Sequence, residues 1–143
     1  MCGISVYFGP KDIKQETIFK TIKSLAKRGP DGNGFYKKTL SKKNIVLINT
    51  RLKIIDLSEK SNQPFRYDNS VLVYNGEIYN YLELKKELEA LGHKFKTDGD
   101  TEVLIHSLRE WGIEKALNKF EGMWAFAWFD EISKKLFLKN ELF

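Results

Sequence analysis

The residue with the greatest chemical reach is Cys2, directly behind the initiator methionine. Removal of Met1 leaves a residue carrying both a thiol and a free α-amine on one Cα. An α-amine titrates at about 7.7–8.0, so a sizeable fraction is neutral near pH 7 and can take the proton from its own thiol, directly or through a water. That is the arrangement of an N-terminal nucleophile, which needs no histidine. Gly3 beside it lets the backbone pass close to a substrate, and Cys2 is small enough for methionine removal. The other reading of a lone cysteine, a small buried hydrophobe, stays open on the residues alone. The two histidines offer less. His93 follows the glycine that ends a helical stretch and reads as exposed; His106 lies in a helix with no second histidine, cysteine or carboxylate cluster placed for a metal. A thiol that attacks an amide also needs donors for the developing oxyanion. Asn75-Gly76 offers a side-chain amide and a backbone N–H with no Cβ in the way. The same pair is a common hairpin turn, yet Glu77-Ile78-Tyr79-Asn80 leads into a helix and not into a returning strand.

The elements that must position these groups follow from periodicity and punctuation. Residues 3–8 read as a buried strand stopped by Gly9-Pro10. From Asp12 to about Ala26, the residues Ile18, Ile22 and Leu25 form one helical stripe, with Phe19 beside them and Asp12 at the start. Arg28 to Gly34 holds three glycines and a proline and reads as a tightly turned loop. Residues 34–40 and 44–49 read as a hairpin, and Arg51 to Leu57 as a further strand-like segment. Residues 58–70 are polar and read as loop; Val71 to Tyr74 reads as a short strand that stops at Asn75-Gly76.

Two more helices are signalled. One has Asn80 as N-cap, Glu83 three residues on, a Leu84/Leu88/Leu91 stripe and Gly92 as its stop. The next runs from about Thr101 to Trp111, capped by Asp100, with Leu104, Leu108 and Trp111 inward and Gly112 at its end. Residues 124–129 and 135–138 read as a final hairpin, the first strand apolar on both faces and so central. The order β-α-β-β-β-β-α-α-β-β predicts an α+β layered domain of antiparallel sheet, a single unit over residues 1–143.

Composition bounds the rest. With 143 residues, 42% hydrophobic and 13% aromatic, the chain has material for a core and is not a disordered segment. No apolar run approaches the ~18 residues of a membrane span, and no basic residue precedes the apolar start, which argues against a secretory signal. One cysteine excludes an internal disulfide and a cysteine-rich zinc site. The expectation is a cytoplasmic protein. The net charge of +5 is spread as Lys37-Lys38, Lys42-Lys43, Lys85-Lys86 and Lys134-Lys135, the pattern of solvated loops and helix faces. Neither nucleic acid nor a membrane is expected as a partner.

Seven motifs, in order along the chain, then carry a resemblance: Met1-Cys2-Gly3-Ile4, Arg28-Gly29-Pro30-Asp31-Gly32, Arg51 to Leu57, Asn62-Gln63-Pro64, Asn75 to Asn80, Asp98 to Val103, and Phe120 to Ala127. The chain resembles the glutamine amidotransferase domain of glutamine-hydrolysing asparagine synthetases, class II amidotransferases among the N-terminal nucleophile hydrolases. The resemblance implies two antiparallel sheets sandwiched between helices. It implies that Cys2, once Met1 is gone, attacks the side-chain amide of L-glutamine, giving ammonia and a thioester that water converts to glutamate. Asn75 and Gly76 would hold the oxyanion. Arg51 would grip the α-carboxylate, a task that suits a guanidinium fork. Glu77 and Asp100 would accept the α-ammonium, and Leu52, Lys53, Ile54 and Ile55 would lend backbone contacts.

The chain departs from the pattern at Asn49 and Lys27, where relatives often carry histidine, and at Lys139-Asn140, where they carry Arg-Asp. The family continues beyond this point, so its last strands and its synthetase domain are expected to be missing here. The resemblance implies no cofactor for this domain and puts ATP and Mg²⁺ in the synthetase part, in the same full-length chain or a separate subunit; a homodimer is a further expectation. The alternative is an inactive domain of the same fold that binds or regulates a synthetase partner.

Overall fold

The computed structural model describes residues 2–141. Along the chain these form β1 (Gly3–Gly9), α1 (Gln15–Leu25), β2 (Gly32–Thr39), β3 (Asn44–Arg51), a 3₁₀ turn at Glu59–Ser61, β4 (Phe65–Tyr67), β5 (Ser70–Ile78), α2 (Tyr81–Ala90), α3 (Asp100–Trp111), α4 (Ile113–Leu117), β6 (Gly122–Asp130) and β7 (Lys135–Glu141). All strand pairs are antiparallel, in two sheets ordered β1-β3-β2 and β4-β5-β6-β7.

The period-two alternation of a strand sorts the side chains into layers. In β3, where every residue is buried, Val46 and Ile48 face Ile18 and Ile22 of α1, while Ile45 and Leu47 face the second sheet. There they meet Val71 and Val73 of β5 and Ala127 and Phe129 of β6. The opposite face of β5 and β6, with Leu72, Ile78 and Phe126, is covered by Leu84 and Leu88 of α2 and Leu104 and Leu108 of α3. Each fully buried aliphatic side chain here is worth about 1.5–3 kcal/mol. The layers run helix, sheet, sheet, helix, the α+β sandwich expected. No helix among the described residues is long and apolar enough to cross a membrane.

Several local expectations are corrected. Residues 52–58 do not continue as a strand, because the Asp56 carboxylate gathers the segment into a coil. It accepts the Ser58 N–H (2.7 Å), the Ser61 hydroxyl (2.6 Å) and the Asp98 N–H (3.0 Å). Partial burial opposes its charge, but these donors win and hold its pKa far below the ordinary value. A short strand, β4, lies inside the stretch read as loop, and β5 runs on through Asn75-Gly76, paired with β6 from Ser70↔Asp130 to Ile78↔Gly122. That pair is therefore neither a turn nor a strand end.

The helix starts also move. α1 begins at Gln15 rather than near Asp12, whose carboxylate pairs instead with Lys37 at 2.6 Å. Asn80 occupies the N-cap position of α2 without a capping bond; its side chain accepts from the Glu121 N–H and donates to the Lys119 carbonyl. Leu91 of the expected stripe is exposed. α3 begins at Asp100 itself, with Gly99 as N-cap. Gly112, at φ 75°, ends α3 and starts α4, a helix that periodicity did not predict. His93 is not exposed: its Nδ1 lies 2.7 Å from Nδ1 of His106 and its Nε2 2.6 Å from Glu110.

Candidate active site

The same alternation brings the chemically interesting side chains together. Ile4 and Val6 of β1 face the second sheet, so Cys2 faces it too; Ile45 and Leu47 set the same sense for Asn49 and Arg51, and Val71 and Val73 for Asn75 and Glu77. Cys2, Arg51 and Asn75 thus stand at one end of the gap between the sheets.

Backbone holds the sulfur. Cys2 Sγ lies 3.4 Å from the Leu52 amide nitrogen, which donates to it, and 3.9 Å from the Leu52 carbonyl. The thiol is half-buried and outside any disulfide, and the Cys2 carbonyl accepts the Arg28 Nε–H at 3.2 Å. The glycine-rich loop closes against the same backbone: Asp31 N–H donates to the Arg51 carbonyl and Lys53 N–H to the Asp31 carboxylate, both at 3.0 Å. A Cβ on Gly29 would lie 2.3 Å from the Thr50 carbonyl, so only glycine allows this approach.

Arg51 is 6% exposed, and its head is set by the coil that follows it. Nη1 donates to the Ser58 carbonyl and to Asn62 Oδ1, both at 2.8 Å, and Nη2 donates to the Asp56 carbonyl. A guanidinium has five N–H donors. Nε–H and one Nη2–H have no acceptor among the described residues, enough for a carboxylate.

Asn75 and Gly76 owe their position to an interrupted sheet edge. β4 pairs with β5 only as far as Leu72. Beyond it, side chains replace the strand: Gln63 Oε1 accepts the Tyr74 N–H at 2.6 Å and the Asn49 amide at 3.2 Å, and Asp100 Oδ2 accepts the Ile78 N–H at 3.0 Å. On the opposite edge, Tyr79 N–H donates to the Glu121 carbonyl. Backbone donors alternate along a strand, so the Gly76 N–H points to the interrupted edge, between those of Tyr74 and Ile78. A Cβ on Gly76 would meet the Met123 carbonyl at 2.3 Å and the Trp124 Cα at 2.5 Å. Asn75 Oδ1 is buried and has no hydrogen-bond partner among the described residues.

Asp100 is the site's buried anion. Burial raises its pKa above the ordinary value, although the Tyr74 hydroxyl at 2.6 Å and the Ile78 N–H pull the other way. Burial and that carboxylate together push the Tyr74 phenol far up.

A cavity of about 460 Å³ is lined by Cys2, Arg51, Leu52, Ile54, Ile55, Asn75, Gly76, Glu77 and Asp100. The structure therefore gathers nine of the ten residues expected. Lys53 is not among the lining: its N–H goes to Asp31 and its ammonium pairs with Glu59. Sequence reasoning missed Tyr74 and Gln63 as site-builders. A buried polar group needs a partner, and a phenol inside an apolar strand, or a glutamine between Asn62 and Pro64, is the one signal that could have flagged them.

The profile of the family described as "Glutamine amidotransferase domain" matches residues 1–143. The chain is 37% identical over 148 residues to asparagine synthetase [glutamine-hydrolyzing] 3 of Bacillus subtilis, covering 99% of the chain and 23% of that relative. It is 38% identical over 133 residues to asparagine synthetase [glutamine-hydrolyzing] 1 of the same organism, covering 88% of the chain and 20% of the relative. The chain thus spans less than a third of the length of these curated relatives. Among solved structures, glutamine phosphoribosylpyrophosphate amidotransferase from Bacillus subtilis superposes with a TM-score of 0.76 at 23% identity, over 99% of this chain and 37% of that one. That likeness bears on the fold alone, and it agrees with the two-sheet sandwich. The match over the whole chain shows that this chain belongs to the glutamine amidotransferase domain family.

Proposed function

We propose that the chain hydrolyses the side-chain amide of L-glutamine and delivers the ammonia to a synthetase domain of the asparagine synthetase type. The observation that carries this reading is the single cavity in which Cys2 meets a cation, an anion and an unclaimed pair of amide donors. A free amino acid presents a carboxylate and an ammonium; Arg51 takes the first, Asp100 and the more exposed Glu77 the second. Cys2, unmasked by loss of Met1, passes its thiol proton to its own α-amine and attacks the amide carbon. Asn75 Nδ2 and the Gly76 N–H stabilise the oxyanion. The C–N bond breaks, ammonia leaves with the proton from the α-ammonium, and a thioester remains. Water, losing its proton to the α-amine, then releases glutamate and restores the thiol.

Domain organisation follows on the same reading: residues 1–143 belong to the glutaminase part, and the ammonia acceptor, ATP and Mg²⁺ belong to a synthetase part in the same protein or a partner subunit. The site of action is cytoplasmic. The exposed Ile54 and Tyr79, which line the cavity, supply an apolar rim for that partner to cover. They also support the second reading, a domain that docks on a synthetase without catalysis. One experiment separates the two. Mass spectrometry establishes loss of Met1, and glutamate release from glutamine is compared with Cys2→Ala. Release by the trimmed protein and none by Cys2→Ala, with unchanged circular dichroism, is expected; release that survives the substitution refutes the mechanism.

A further inference from the structure

We infer that Tyr74 is a positioning residue, whose hydroxyl holds one oxygen of Asp100 so that the other is presented to the α-ammonium of bound glutamine. The inference rests on the reading of Asp100 as ammonium acceptor and deepens it. An aspartate in the first turn of a helix ordinarily turns back to the unpaired N–H groups at that end. At α3 the N-cap is Gly99 and Asp100 is the first helical residue; beyond its own N–H, its carboxylate finds its partners outside the helix. Its Oδ2 instead receives two donors from β5, the Tyr74 hydroxyl at 2.6 Å and the Ile78 N–H at 3.0 Å. Oδ1 accepts no hydrogen bond from another described residue.

Packing does not explain the hydroxyl. The Tyr74 ring lies in the apolar cluster with Leu72 and Ile78, where phenylalanine would fill the same space. Tyr74 is 2% exposed, so its O–H must find a partner inside, and Asp100 is that partner. The bond is charge-assisted, short and directional. It ties the carboxylate to the same strand that carries Asn75 and Gly76, so the group that holds the ammonium end moves with the group that holds the oxyanion. Tyr74 and Asp100 both line the cavity.

The test compares two ligands within each variant. In a Cys2→Ala background, which prevents turnover, titration calorimetry gives affinities for glutamine and for glutaramate, the same molecule without its α-amine. The ratio of the two isolates the ammonium contact, and because it is taken within one variant, a smaller folded fraction cancels. Adding Tyr74→Phe is expected to lower glutamine affinity about tenfold, as for loss of one hydrogen bond to a charged group, and to leave glutaramate unchanged. The acid limb of glutamine binding should also move to higher pH, since a donor that favours ionised Asp100 is gone. An equal loss for both ligands, or no loss, overturns the inference and returns Tyr74 to packing. Adding Asp100→Asn instead tests the underlying reading: if it leaves the glutamine preference intact, Asp100 is not the ammonium acceptor, and the failure lies there rather than with Tyr74.

Discussion

Replacing Gln63 with leucine asks whether a side chain truly stands in for a strand. Gln63 is buried, and its Oε1 accepts two donors, the Tyr74 N–H at 2.6 Å and the Asn49 amide at 3.2 Å. Leucine fills similar space but accepts nothing. The Tyr74 N–H is then orphaned, at about 1–3 kcal/mol. The Asn49 amide keeps a long contact to the Tyr74 carbonyl at 3.5 Å and loses less. Together the loss should be about 2–4 kcal/mol, a large fraction of the roughly 5–15 kcal/mol that holds a domain folded. For a chain of this size that lowers Tm by roughly 5–15 °C. Equilibrium urea unfolding reads the value, and amide exchange at Tyr74 should accelerate. Adding Asn49→Leu removes a second unpaired group, so the double variant should lose less than the sum of the two single ones. A Gln63→Leu protein within about 0.5 kcal/mol of the parent would refute the claim that this edge is sealed by side chains.

Two further outcomes follow. Gly76→Ala drives a Cβ into the Met123 carbonyl and Trp124 Cα; β5 and β6 must part locally, costing about 1–3 kcal/mol, and glutamate release should fall by roughly 10²–10³ in kcat as an oxyanion donor is displaced. Glu102→Gln should show a pH-dependent loss. Burial works against the Glu102 charge, but the nearby His106 ring (Nε2 at 3.7 Å) and donors from Thr97 and Lys96 outweigh it and set its pKa below the ordinary 4.5. Above that value the unfolded state gains nothing from protonation, so the stabilisation is complete; it fades as pH falls through the lower folded pKa. The difference in urea midpoint between parent and variant should be largest at pH 7 and shrink below pH 4; a constant difference would show that charge is not involved.

Much of the layering was legible because buried strands and amphipathic helices announce themselves. Ile45 to Ile48, Val71 to Val73 and Trp124 to Phe129 can be placed from apolarity alone, and Leu84, Leu88, Leu104 and Leu108 from their spacing. What could not be read was set by tertiary hydrogen bonds. The Leu52, Ile54, Ile55 and Leu57 pattern looks extended, yet Asp56 ties the segment to Ser58, Ser61 and Asp98, the last of these 42 residues away. Asn75-Gly76 looks like a turn, yet β6 supplies partners straight through it. Asp100 looks like a cap, yet two donors from β5 claim its carboxylate. His93 looks like surface, yet His106 sits between it and the Tyr67 and Phe95 rings. The site residues were recognised by type and order; their common cavity depends on strand parity in three separate strands, which no local window contains.

Because the sulfur of Cys2 rests on the peptide of residue 52 and not on any side chain, its environment is largely indifferent to what that residue is. Mutational drift at position 52 can reshape the cavity wall, and with it the choice of ligand, while the nucleophile stays where it is. Proline is the exception, since it alone would take away the amide hydrogen that the sulfur receives.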